Sequence, residues 1–135
     1  MLRIQIGAMR EEVVTVDDSN AINFLGLAGA RVLSTPHMIG FLERTSRNLL
    51  FPMLETGFDS VGTIVNVAHL GGAPLGSTVT FRAVIESVEL RRVNFRVEAF
   101  TANEKIGEGS HQRFVVNVER FAEKMQAKQA GGAQP

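Results

Sequence analysis

The chain has 135 residues, enough for one domain with a substantial core, and its fourteen basic and fourteen acidic side chains cancel, so no global field draws it to nucleic acid or an anionic membrane. It has no cysteine, which excludes disulfides, thiolate metal sites and cysteine nucleophiles. No apolar run approaches the roughly 20 residues of a membrane span, and the first residues lack the apolar core of a signal peptide, so a cytoplasmic location is expected.

The first third is irregular. Glu11 to Val16 reads as a short strand, Asp17 to Asn20 as a turn or cap, and Ala21 to Leu27 as a short helix. Gly26, Gly29 and the alanines around them suggest a mobile or closely packed connection. The main helix is expected from about Pro36 to about Leu54. Thr35 is the expected N-cap, its hydroxyl accepting from a first-turn amide, and Pro36 suits the first helical position. At 100° per residue Met38, Ile39, Leu42, Ser46, Leu49, Leu50 and Met53 share one stripe. Glu43 lies just past the edge of that stripe, and Pro52 should end or bend the helix.

From Ser60 the period becomes two. Strands are expected around 61–69, 78–86, 92–99 and 113–118, joined by a glycine-rich turn over 71–76 and by turns at Arg91-Arg92 and Asn103–Lys105. Four successive strands with short connections predict an antiparallel meander with one buried face. On the last strand Phe114 and Val116 read as the apolar face, with His111 and Arg113 opposite. Residues 119–128 can be helical. The expected division is a single domain over 1–128 and a disordered tail over 129–135. A long helix followed by such a sheet is an α+β layer in which the sheet wraps the helix.

Several side chains could carry chemistry. Glu43 is either a surface carboxylate paired with Arg47 at i+4 or a carboxylate in a partly dry pocket acting as nucleophile or general base. Thr35 is accounted for by capping, yet a capped helix start also presents free amides to a carbonyl oxygen. His69 continues the Val61/Thr63/Val65/Val67 alternation and ends its strand before a glycine-rich turn. It is either a core histidine or a catalyst. His111 and Arg113 form either a solvated face or a cationic pair for an anion. His37 reads as a first-turn residue only. Three scattered histidines with no HxH or HExxH spacing argue against metal. No GxSxG elbow, P-loop or dinucleotide fingerprint is present, and Gly107-Glu108-Gly109 reads as a bulge or bend.

Three segments together resemble the hot-dog-fold acyl-CoA thioesterases, and within them the fluoroacetyl-CoA thioesterase-like branch. They are Thr35 through Met38-Ile39-Gly40-Phe41-Leu42-Glu43; Gly62 through His69 followed by Gly72-Ala73-Pro74-Leu75-Gly76; and Ile106-Gly107-Glu108-Gly109-Ser110-His111-Gln112-Arg113. The resemblance covers roughly Val13 to Phe121. It implies a long central helix wrapped by a curved antiparallel sheet, and hydrolysis of a small or medium acyl-CoA with no cofactor beyond the coenzyme A of the substrate. It puts the catalytic threonine, glutamate and histidine on Thr35, Glu43 and His69 and a substrate-contacting glycine on Gly62, and with these His111 and Arg113, as the cationic pair, are expected to bind substrate. It further implies a homodimer, possibly pairing into a tetramer, whose sites combine the helix of one chain with strand residues of the other. In the fluoroacetyl-specific enzyme phenylalanines before the helix gate the pocket. Here that stretch is Gly26-Leu27-Ala28-Gly29-Ala30, with Phe24 the nearest aromatic, which implies a different or broader acyl group. The alternatives are a hot-dog hydratase or dehydratase, a non-catalytic acyl-CoA-binding protein, and a structural oligomerisation module.

Overall fold

The computed structural model describes residues 3–132. Five strands, β1 (Met9–Thr15), β2 (Phe58–His69), β3 (Thr78–Glu89), β4 (Arg92–Phe100) and β5 (Lys105–Asn117), form one antiparallel sheet, with helices α1 (Thr35–Leu50) and α2 (Val118–Gly132). The sheet curls around α1, which buries Met38, Leu42, Leu49 and Leu50 against it. Strands β3 and β4 meet the helix with unbroken alternation. Val79, Phe81, Ala83 and Ile85, and Val93, Phe95, Val97 and Ala99, are all buried.

The sheet order is β1-β3-β4-β5-β2, so the expected meander holds only for β3 to β5. Strand β2 pairs with β5 at the far edge. A tight hairpin between β2 and β3 is prevented by how their connection is held. Leu33 donates its amide to the Ala73 carbonyl (2.9 Å) and Leu75 donates to Arg31 (3.1 Å), tying the connection to the segment before α1.

Two local expectations fail, one of them in that segment. Residues 21–27 form no helix: Ile22 donates to Val32 (2.8 Å), and Ala21 bridges to Leu33. Gly26, at φ +81°, breaks any helical run, leaving a single 3-10 turn at Ala28–Ala30. At the other end α2 continues to Gly132 instead of stopping near Lys128, and the remainder of the expected tail lies outside the described residues. The α-helix of α1 ends at Leu50, and Pro52 sits in a following 3-10 turn. Among the described residues no helix is long and apolar enough to cross a membrane.

Candidate active site

The start of α1 is built one residue earlier than capping preferences alone suggested. Ser34 is the N-cap, its hydroxyl accepting from the His37 amide at 3.1 Å. Thr35 is therefore not used as a cap. Its Oγ1 lies 2.7 Å from Nδ1 of His69, at the end of β2. His69 Nε2 is buried and has no hydrogen-bond partner, and a buried polar atom in that condition costs about 1–3 kcal/mol. Around this pair Ile22, Phe24, Val32, Leu33 and Leu70 line a cavity of about 340 Å³.

His69 reaches the helix-facing side because of a bulge. Paired residues across an antiparallel ladder share a face. Gly62 stands opposite Arg113, and Val65 and His69 stand opposite His111 and Gly107, with the register slipping between Gly62 and Ile64. Seven residues apart on a regular strand, Gly62 and His69 would point to opposite faces. The extra residue at the bulge puts both toward α1. The bulge expected at the pair Gly107 and Gly109 is present at Gly107: Ala99 pairs with Gly107 and Phe100 with Lys105, leaving Ile106 as the extra residue. A Cβ on Gly107 would meet Met38 Sδ at 2.7 Å, and one on Gly109 would overlap the backbone of Asn66 and Val67.

A second cluster forms around Glu43, the residue after Leu42 on α1. Arg113, buried, donates from Nε to Ser60 Oγ (2.7 Å), from Nη2 to the Ser60 carbonyl (2.9 Å) and from Nη1 to Glu43 Oε2 (3.5 Å). His111 Nδ1 donates to the Ile64 carbonyl (2.8 Å), which leaves Nε2 to accept from Arg113 Nη1 (3.1 Å). Both ring nitrogens are thereby committed, and the residue is 2% exposed. The expectation that Phe114 and Val116 form the buried face is thus reversed: His111, Arg113 and Val115 face inward. Burial of two polar residues is tolerated because their hydrogen bonds are made within the cluster.

Burial pushes the His111 imidazole below the ordinary histidine range, and the Arg113 charge adds to this against the opposing Ile64 bond and Glu43. Burial likewise lowers Arg113, countered by the carboxylates of Glu43 and Asp59, and the guanidinium remains charged. Burial of Asp59 works against ionisation, but its hydrogen bonds from Arg47 (2.6 and 3.1 Å) carry it below its usual value. Arg47, expected as a partner for Glu43, is taken by Asp59, so the side chain that meets Glu43 is Arg113. Glu43 itself is 38% exposed. Gly62 is what admits its carboxylate: a Cβ there would overlap Glu43 Oε2 and lie 3.3 Å from His111 Cε1.

Within one chain the expected residues therefore form two groups, Thr35 with His69, and Glu43 with Gly62, His111 and Arg113. Eight residues of helix separate Thr35 from Glu43, a rise of about 12 Å. Ser34 and Ser60 complete the two groups and were not anticipated. Ser34 had a visible signal, since serine caps as well as threonine and also precedes the proline. Ser60 had none, because its role depends on the cross-strand partner. Among the described residues no group of three or more His, Cys, Asp or Glu could hold a metal ion.

The family model of the fluoroacetyl-CoA-specific thioesterase FlK matches residues 16–119. The fluoroacetyl-CoA thioesterase of Streptantibioticus cattleyicolor is 39% identical over 101 residues, which are 75% of this chain and 73% of the relative. A solved structure of the fluoroacetyl-CoA thioesterase FlK superposes with a TM-score of 0.85 at 31% identity, covering 93% of this chain and 97% of that one. A thioesterase superfamily member from Thermus thermophilus superposes with a TM-score of 0.86 at 27% identity, covering 99% and 100%. A hot-dog-like protein from Thermanaerovibrio acidaminovorans gives 0.84 at 26%, covering 91% of each chain.

Proposed function

The chain belongs to the fluoroacetyl-CoA-specific thioesterase family, and on that basis we propose that it hydrolyses an acyl-CoA thioester to the free acid and coenzyme A. The observation that carries the mechanism is the 2.7 Å contact between Thr35 Oγ1 and His69 Nδ1. A hydroxyl within hydrogen-bond reach of an imidazole is the arrangement of an activated nucleophile. Thr35 attacks the thioester carbonyl as its proton passes to His69 Nδ1. The C–S bond breaks, the imidazolium protonates the departing thiolate, and an acyl-threonine remains. Water then attacks that ester with His69 again as base, releasing the acid and restoring the threonine. The sequence left Glu43 either as nucleophile or as the base that activates a water, and this reading gives the first attack to Thr35 instead. Glu43 holds and orients the hydrolytic water for that step, and Arg113 and the Gly62 backbone meet the substrate's acyl end.

The two half-sites become one in a homodimer. Strand β2 is a sheet edge with Thr63 to Asn66 exposed, and an exposed edge is a template for a second strand. Antiparallel pairing of two β2 edges about a twofold axis between Val65 and Asn66 sets the partner subunit's His69 beside Gly62. One chain then supplies Thr35 and His69, and the other supplies Glu43, Gly62 and Arg113. The apolar lining of the cavity beside His69, with Phe24 as its only phenylalanine, supports a short or medium acyl group broader than fluoroacetyl. Thiol release assayed over short, aryl and long acyl-CoAs tests the proposal. Turnover concentrated on short and medium chains is expected, and tight binding of all of them without turnover would overturn it.

A further inference from the structure

The end of the sheet opposite the glycine-rich connection gathers four cations that have no carboxylate partner among the described residues. Among the described residues Arg10, Arg31, Arg44, Arg47, Arg82, Lys105 and Arg113 form ion pairs, whereas Arg3, Arg96 and Lys128 form none, and neither do the four that stand together here, Arg91, Arg92, Arg120 and Lys124. These four line two adjoining cavities of about 510 and 350 Å³, which share Arg91 and Phe114. Phe121 lines the second, and Glu89 is the one acidic side chain lining either. In a chain of zero net charge this is a local concentration of positive charge over aromatic surface. At its rim the β3–β4 turn holds Leu90 at φ 56°, 94% exposed. A non-glycine residue in that region costs about 1–2 kcal/mol, and its apolar side chain gains nothing from the fold.

Guanidinium and ammonium groups bind phosphates, and aromatic faces stack nucleobases. A ligand carrying both a base and several phosphates fits such a surface. Strand β2 runs from the Gly62 half-site to Phe58, and the Arg91 guanidinium lies over the Phe58 ring, 5.8 Å from its centroid. Four strand residues span about 13 Å. A pantetheine arm has the backbone length of roughly four extended residues, about 14 Å. We infer that Arg91, Arg92, Arg120 and Lys124, with Phe114 and Phe121, bind the nucleotide end of the coenzyme A substrate, its adenine on the aromatic surface and its phosphates on the cations. This rests on the acyl-CoA reading above.

The test compares KM for an acyl-CoA with KM for the same acyl group on pantetheine alone, in the wild type and in Arg91→Gln/Arg120→Gln. The acyl-CoA KM should rise about tenfold with kcat held, while the pantetheine substrate changes by less than about twofold. Calorimetric binding of 3′,5′-ADP should be detectable in the wild type and lost in the variant. An unchanged acyl-CoA KM, or an equal loss on both substrates, would overturn the assignment. A wild type that turns over no acyl-CoA would instead overturn the proposed function, and 3′,5′-ADP binding would then decide the nucleotide site on its own.

Discussion

Gly62→Ala separates the chemistry of the site from the stability of the fold. The new methyl group would overlap Glu43 Oε2, lie tightly at 3.3 Å from His111 Cε1 and make ordinary contact with Arg113 Nη1 at 3.5 Å. Of these the Glu43 carboxylate is the one free to move, since it is 38% exposed, whereas His111 and Arg113 are fixed by their other hydrogen bonds. Clearing the methyl group requires a displacement of about 1 Å, enough to cost on the order of 100-fold in rate when a reacting group must be positioned. The stability term is small. The Arg113–Glu43 contact is long, at 3.5 Å, and half-solvated, and losing it costs about 1 kcal/mol or less, a shift of roughly 3–5 °C in Tm. Thiol-release kinetics and thermal unfolding on one preparation test both halves. A variant with near wild-type kcat/KM would refute the placement of Glu43 in the site. One that unfolds outright would refute the assignment of the carboxylate as the yielding group.

Glu43→Gln should keep the fold and its contact with Arg113 while slowing deacylation. Acyl-enzyme should then accumulate, visible as an added acyl mass on Thr35 in rapid-quench mass spectrometry, and wild-type turnover would argue against any role for the carboxylate. The neutral, buried His111 predicts acid instability. As pH falls below about 6.5 the unfolded chain takes up a proton that the folded ring resists, so the unfolding free energy from urea titrations should drop, by up to about 1.4 kcal/mol per pH unit, until the lowered folded value is passed. His111→Gln should flatten that slope, and an unchanged slope would contradict the assignment. Ile64, 52% exposed on the β2 edge, should tolerate lysine in the folded chain while the added charges block edge pairing. Sedimentation should show Ile64→Lys as a monomer without turnover, and an active monomer would refute the shared site.

Much of the fold was legible because β3, β4 and α1 carry regular periods that a single buried face imposes. The sheet order was not, because β2 and β3 are consecutive in sequence but held apart by hydrogen bonds from 31–33 to 73–75 that leave no periodic trace. The site shows the same division. Thr35, Glu43 and His69 stand out as candidates by residue type, and the resemblance to the thioesterases is what implies catalytic roles for them, but the bulge between Gly62 and Ile64 that turns His69 inward is a backbone event without a side-chain signature. The face of β5 was read backwards because Phe114 and Val116 look like core and His111 and Arg113 like surface. Only the partners of those two, Ser60, Ile64 and Glu43, make their burial affordable. Capping preference pointed to Thr35, and it took Ser34 in that role to leave the threonine hydroxyl for His69.

The most direct test of thioester cleavage at a site shared between two chains is complementation between Thr35→Ala and Glu43→Gln. Each variant alone forms dimers in which every site is defective. Mixed dimers contain one site with both substitutions and one with neither, because a twofold interface exchanges the two halves. After denaturation and co-refolding in equal amounts, thiol release from an acyl-CoA should recover to about a quarter of the wild-type rate per chain. A mixture no more active than the separate variants would contradict the shared site.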